Sequence, residues 1–213
     1  MTPDTYRNAG AFGAWLAAMR GVLKGERPAD VPCDGCVGCC VSSYAIALRP
    51  GDQAALAAVP AIHLRIPVGG GLAFMAHRED GTCPMLEAGR CAIYADRPQT
   101  CRDYDCRIYA ATGLLPDGER PVIRERVLEW RFDFANGEEQ RQQAALRRAA
   151  AFIQAHAASF PVAMRAHSAA AAAVLAVKTW SLFAHEKGDE ATAPSPDEQV
   201  RRVLEAARAF DTA

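Results

Sequence analysis

Cysteines are the residues of this chain whose number and spacing suggest chemistry. There are eight, and all of them lie in the first half of the sequence. The set comprises Cys33, Cys36, Cys39, Cys40, Cys83, Cys91, Cys101 and Cys106. Thiols gathered in this way serve as disulfide partners, metal ligands or redox groups, and the rest of the sequence helps to separate these classes.

The first residues of the chain bear on the disulfide alternative. Segment 1–7 has neither the apolar stretch nor the cleavage site of a secretory signal, so we expect a cytoplasmic protein. No stretch approaches the ~18 uncharged apolar residues of a membrane-spanning helix, and the alanine-rich segment 169–177 is too short. With 213 residues, the chain can bury a core without disulfides. We therefore favour a metal site over disulfides, redox dithiols or structural thiols.

The spacing within residues 33–40 suits a metal centre. In Cys-x2-Cys, the two intervening residues fold the chain back so that both sulfurs can reach one ion. Gly35 and Gly38 permit a positive φ and expose backbone N–H groups that can donate to thiolate sulfur. Because thiolates select zinc, copper(I) or iron–sulfur clusters over hard cations, the run predicts a soft metal centre.

The same run matches part of an iron–sulfur motif. Cys33, Cys36 and Cys39 have the spacing of the first three ligands of bacterial ferredoxins, and Cys83 is followed by proline like the last one. Cys40 directly follows Cys39 and points its side chain another way, so it would serve a second centre or the far side of a cluster. Zinc stays an alternative, because eight thiols could form two four-cysteine zinc sites.

Three short motifs surround the later cysteines. They are Cys83-Pro84-Met85-Leu86, Cys91-Ala92-Ile93-Tyr94 and Arg97-Pro98-Gln99-Thr100-Cys101-Arg102. Together with residues 33–40 they resemble the CxxCxxCC cysteine-cluster family, described as zinc- or iron-chelating proteins. The resemblance covers about residues 33–107 and implies metal binding, but it does not supply a reaction.

Cys106 lies outside that shared pattern. If one helix runs from Pro98 to Thr112, Cys101 and Cys106 are about 140° apart around its axis at 3.6 residues per turn. Both thiols could then not easily reach one ion. We therefore treat all eight cysteines as metal-ligand candidates and Cys106 as the weakest of them.

Charged and imidazole side chains near the thiols could support the centre. The arginines in this position are Arg90, Arg97, Arg102 and Arg107. Four thiolates around zinc, or around an oxidised 4Fe–4S cluster, leave a charge of about −2, which guanidinium groups would stabilise. A solvated basic face is the alternative, and Arg97 is the arginine that we expect nearest the centre. His63 and His77 could also bind zinc, although strand histidines are more often just partly buried.

Hydrophobic periodicity and turn residues predict a mixed α+β fold. The predicted strands cover residues 44–48, 62–66, 72–77 and 127–134. The predicted helices cover residues 4–25, 50–59, 98–112, 136–156, 161–186 and 195–210. We predict one domain, residues 1–213. Within it, a small cysteine-rich metal-binding region with short strands (26–112) is covered by N- and C-terminal helices, and residues 113–213 form a strand plus a mostly helical cover.

Other classes of function lack their signatures. A net charge of −1 offers no basic field for nucleic acid. The chain has no P-loop, G-x-S-x-G or H-E-x-x-H motif, and no C-x3-C-x2-C motif of radical enzymes. We predict a metal-binding protein that holds an iron–sulfur cluster, such as 4Fe–4S, or zinc, with neither a nucleic-acid nor a membrane partner. The alternative is a redox or methyl-transferring enzyme, since a flagellin lysine N-methylase family carries a similar cysteine cluster.

Overall fold

The computed structural model describes residues 6–29, 31, 36–118, 121–184 and 194–212. Its strands are β1 (Arg7–Ala11), β2 (Ile46–Leu48), β3 (Leu64–Arg65), β4 (Ala73–Met75), β5 (Leu86–Glu87), β6 (Arg90–Cys91) and β7 (Trp130–Asp133). Its helices are α1 (Phe12–Leu23), α2 (Gln53–Ala58), α3 (Gln99–Asp103), α4 (Arg107–Thr112), α5 (Pro121–Glu129), α6 (Gly137–Ala155), α7 (Ala169–Thr179) and α8 (Pro196–Thr212). The predicted α+β class is confirmed. No helix within the described ranges is long and apolar enough to cross a membrane.

Tertiary contacts divide the chain into two compact units. The first, which we name the helical unit, comprises Met1–Arg27, Cys106–Glu119 and Val127–Ala213. The second, the cysteine unit, comprises Pro28–Asp105 and Arg120–Arg126. Among the described cysteines, Cys106 belongs to the helical unit and the others belong to the cysteine unit. The organisation into one domain stays a prediction.

The helical unit begins with a strand where the sequence predicted a helix. β1 pairs in parallel with β7, with Arg7 opposite Trp130. This pairing uses the backbone of residues 7–11, so α1 starts only at Phe12 and the predicted start at residue 4 is wrong. Phe12 and Trp15 form the expected aromatic core, because their ring centroids lie 5.5 and 5.1 Å from that of Phe132.

The later helices of this unit begin at side-chain caps. The Asn136 side chain accepts hydrogen bonds from the N–H groups of Glu138 and Glu139, which confirms the predicted start of α6. The predicted helix over 161–186 is shorter, because the Ser168 hydroxyl accepts from the N–H of Ala171 and starts α7 at Ala169. The end of that prediction, residues 185–186, lies outside the described residues.

The cysteine unit is built on a small antiparallel sheet with the strand order β2-β4-β3. Each strand is shorter than predicted, with two or three residues. The buried core beside it comprises Ile46, Leu48, Ala55, Val59, Met75, Cys83 and Met85. A second antiparallel pair, β5 and β6, was not predicted, and its turn places Ala88 and Gly89 at positive φ values of 45° and 75°.

The predicted helix over 98–112 is broken in two. α3 ends at Asp103, Tyr104 has an extended backbone with φ −80° and ψ 118°, and α4 begins at Arg107. The break lies at the junction of the two units, where the chain leaves one core for the other. The single-helix prediction is therefore wrong, and so is the angle of about 140° between Cys101 and Cys106 that was derived from it. Gly113, at φ 74°, ends α4 as expected.

Candidate metal centre

Different elements of the cysteine unit position the thiols. A turn of 3-10 helix, Gly38–Val41, carries Cys39 and Cys40, and β6 ends with Cys91. Cys101 lies on α3, which is attached to β2 by a hydrogen bond of 2.7 Å from the Thr100 hydroxyl to the Ala47 carbonyl. These cysteines are distant in sequence, so the tertiary fold brings them together.

Cys83 joins two of these elements. It lies between β4 and β5, with 5% of its surface exposed. Its backbone N–H donates to the Cys40 carbonyl at 2.7 Å, and its Sγ lies 3.6 Å from Met75 Sδ. The backbone contact fixes the Cys83 loop against the CxxCxxCC run, which makes Cys83 the central thiol of the site.

The thiols line one cavity of about 350 Å³ in the cysteine unit. The cysteines in its wall are Cys36, Cys39, Cys40, Cys83, Cys91 and Cys101. Neither His63 nor His77 is part of this wall. Cys33 lies outside the described residues. The donor set that the structure brings to the cavity is therefore made of sulfur, the ligand type that zinc and iron–sulfur clusters select.

Neighbouring thiols in the cavity wall shift one another's pKa values. A hydrogen bond between the Cys40 and Cys83 side chains, together with burial and repulsion from neighbouring thiolates, raises the pKa of Cys40 above its ordinary value. The same hydrogen bond lowers the pKa of Cys83 to about 7, and the N–H groups of Met85 and Leu86 act in the same direction. The proton of the pair therefore lies on Cys40, and Cys83 is the thiol that ionises first.

Burial dominates at the other two inner thiols. It raises the pKa of Cys101 to about 12, and repulsion from Cys83 and Cys91 adds to the rise. It raises the pKa of Cys91 as well. Without a cation, ionising several of these buried and neighbouring thiols is unfavourable. A bound cation would offset both the cost of burying the thiolates and their mutual repulsion. The residues present therefore fit a metal centre.

Gly38 supports the CxxCxxCC run without a positive φ, contrary to the prediction. Its backbone N–H donates to Cys36 Sγ at 3.4 Å, which is the expected type of contact to a ligand sulfur. A Cβ on Gly38 would lie 3.1 Å from Cδ1 of Ile123, so any larger residue here would require the Ile123 side chain to shift. The prediction for Gly35 lies outside the described residues.

Three of the four predicted arginines line the cavity: Arg90, Arg97 and Arg102. The positive charge of Arg97 opposes the rise in pKa at both Cys91 and Cys101, as expected for an arginine near the centre. Arg107 instead lies in the helical unit, where it donates to the Ala9 carbonyl at 3.0 Å.

Cys106 has a different environment from the other described cysteines. It is 6% exposed, and its Sγ accepts a hydrogen bond of 3.2 Å from Trp130 Nε1 inside the helical unit. Its role as a ligand stays a prediction. Among the described residues, no three Cys, His, Asp or Glu side chains are close enough to hold one metal ion. The thiols in the cavity wall must therefore move closer together to bind one.

Comparison with known protein families finds a match for part of the chain. Residues 32–112 match the model of the CxxCxxCC family, described as a "putative zinc- or iron-chelating domain". This part of the chain is therefore similar to the CxxCxxCC domain. The resemblance found in the sequence is thus confirmed. Neither the curated proteins nor the solved structures searched gave a match to the chain.

The structure adds residues to the candidate site that the sequence did not single out. The apolar part of the cavity wall includes Ile46, Met75, Met85 and Ile93. Met85 and Ile93 stand inside the motifs C-P-x-L and C-x-I-Y, so their positions next to ligand candidates were a usable signal. Ile46 and Met75 come from paired strands and had no such signal.

Proposed function

We propose that the CxxCxxCC domain holds a metal centre through the cysteines of its cavity wall, together with Cys33. The observation that supports this most strongly is that Cys40, Cys83, Cys91 and Cys101 come from four separate segments and line one cavity. The charges of neighbouring thiols raise the pKa of Cys40 and Cys101, and the proposal requires these thiols to draw closer together when the metal binds. The function proposed is therefore binding of a soft metal, with a cytoplasmic location expected from the sequence.

An iron–sulfur cluster is the centre that we favour. The described cavity wall contains more thiols than the four that one zinc ion takes. The C-x2-C-x2-C spacing and the N–H contact from Gly38 to Cys36 Sγ both suit a cluster. Two four-cysteine zinc sites would need all eight thiols, and Cys106 already accepts a hydrogen bond from Trp130 within the helical unit. A bound cluster would supply electron transfer.

Purification without oxygen should give a brown protein with broad visible absorbance and with iron and acid-labile sulfide in similar amounts. The reason is that several cysteine thiolates in a buried site can hold an iron–sulfur cluster, which contains both iron and sulfide. The measurement is metal and sulfide analysis of the same sample. A colourless protein with stoichiometric zinc and no iron would overturn the iron–sulfur assignment and leave zinc as the centre.

Replacing Cys106 should lower the stability of the protein without changing its metal content. Cys106→Ala leaves the buried N–H of Trp130 without this acceptor, which should destabilise the protein by about 1–3 kcal/mol. Metal content per chain should stay at the wild-type level. Chemical unfolding and metal analysis check the two parts, with Cys106→Ser as the conservative comparison. Loss of metal in Cys106→Ser would make Cys106 a ligand and all eight cysteines part of the metal-binding set.

An enzymatic role, either redox or methyl transfer, is our second proposal. The observation in its favour is the cavity itself, because catalytic metal sites keep space beside the metal whereas structural sites are closed by protein ligands. The residues around that space indicate which kind of molecule could enter.

A further inference from the structure

The cavity beside the thiols is larger than a single metal ion requires. Its volume is about 350 Å³, whereas a water molecule takes up about 30 Å³ in the liquid and a bare metal ion needs no more. Sites for small organic molecules have volumes of about 300–1,000 Å³. An iron–sulfur cluster takes more of the space than one ion does, which restricts any second occupant to a short molecule.

One wall of the cavity is apolar. Ile46, Met75 and Met85 belong to the buried core of the cysteine unit, and Ile93 packs against that core. All four also line the cavity. Contact with this wall removes an aliphatic chain from water, which favours binding by about 25 cal/mol for each Å² of apolar surface covered. The wall therefore selects a ligand with a hydrocarbon body.

Arg97 provides a cationic group in the same cavity. Its guanidinium carbon lies 4.2 Å from the centroid of the Tyr94 ring, and this stacking orients the planar group. Its Nε is buried and has no hydrogen-bond partner among the described residues. A buried donor of this kind needs an acceptor, since leaving it unpaired is unfavourable.

The neighbouring Arg102 already donates from two of its three side-chain nitrogens. Its Nε donates to the Arg97 carbonyl at 2.9 Å, and its Nη2 donates to the Ala95 carbonyl. These bonds hold the backbone that carries Arg97. Arg97 is thus the better placed of the two to bind an anionic group, and a planar guanidinium matches a carboxylate in a bidentate arrangement.

We propose that the cavity binds a small aliphatic carboxylate beside the metal centre. The carboxylate lies on Arg97, and the hydrocarbon body lies against Ile46, Met75, Met85 and Ile93. This inference rests on the proposed metal centre, because the metal draws the thiols together and shapes the remaining space.

Hexanoate and 1-hexanol form a matched pair of probes, since they share a hydrocarbon chain and differ in the carboxylate. Binding of each to the metal-loaded full chain is measured by ligand-observed NMR titration. Hexanoate should bind more tightly than 1-hexanol. Arg97→Gln should weaken hexanoate binding by about tenfold, the loss of a charge-assisted hydrogen bond, and should leave 1-hexanol binding unchanged.

Two further variants control this experiment. Arg97→Lys keeps a positive charge beside the thiols but loses the planar fork, so hexanoate binding should fall to an intermediate level while metal content is kept. Arg65 lies outside the cavity and donates to the carbonyls of Ile62 and Leu64, so Arg65→Gln should bind both probes like the wild type.

The outcomes separate this inference from the metal proposal. Metal-loaded wild-type protein that binds neither probe, or that binds both equally, overturns the carboxylate site and leaves the metal centre standing. Equal losses of hexanoate affinity in Arg97→Gln and Arg65→Gln also overturn it. Loss of metal from Arg97→Lys overturns it as well, because Arg97 would then serve to retain the metal. A wild-type protein that takes up no metal refutes the proposed function itself.

Discussion

Replacing Cys83 by serine should release the metal and unfold the loops of the cysteine unit. Cys83 is the buried central thiol. Its side chain is hydrogen-bonded to that of Cys40, and its backbone N–H donates to the Cys40 carbonyl. Metal binding supplies folding free energy to loops that have few apolar side chains of their own. A protein with an incomplete ligand set should therefore lose both the metal and the folded structure of these loops. Metal affinity should fall by more than about 100-fold, because even residues that only support metal ligands contribute 10–100-fold.

The same direction is expected for every thiol proposed as a ligand. The series comprises Cys33→Ser, Cys36→Ser, Cys39→Ser, Cys40→Ser, Cys83→Ser, Cys91→Ser and Cys101→Ser. Metal content per chain and thermal unfolding are measured for each, and Cys106→Ser is the matched control with a buried thiol in the helical unit. Chelator-treated wild-type protein shows the effect of metal loss alone. Helical circular dichroism should be largely kept. Unchanged metal content in most of the series would refute the proposed ligand set.

Metal affinity should rise steeply with pH near neutrality. Burial and neighbouring thiols raise the pKa of Cys40, Cys91 and Cys101, the last to about 12, so each carries a proton at neutral pH. A metal must displace these protons, because thiolates are the ligands. Raised pKa values therefore make binding weaker as pH falls. The protons of these three thiols alone correspond to about a thousandfold change in affinity per pH unit.

Competition with a chromophoric zinc chelator at several pH values measures this slope, after correction for the protonation of the chelator. Proton release into a weakly buffered solution gives an independent count. Cys83, with a pKa of about 7, should contribute a full proton only below neutrality. An affinity that does not change with pH would show that thiol protons are not displaced and would contradict thiolate ligation.

Local sequence determined the parts of this protein that depend on neighbouring residues. The cap at Asn136 and the stop at Gly113 were predicted correctly because each acts on backbone within the same helix end. The similarity to a zinc- or iron-chelating family was also evident, since the spacing of the CxxCxxCC run and of the later cysteine motifs is a local property. Thiol chemistry by itself favours zinc, copper(I) or an iron–sulfur cluster over hard cations.

Tertiary structure decided what depends on distant partners. The pairing of β1 with β7 turned a helical pattern into a strand, because hydrogen bonds to a remote segment outweighed weak local helix propensity. The predicted helix is interrupted at Tyr104, and Cys106 belongs to the helical unit although it falls within the same family match as the other cysteines. The cavity, whose lining includes both Arg97 and apolar side chains, arises from strands and loops whose contacts no local spacing encodes.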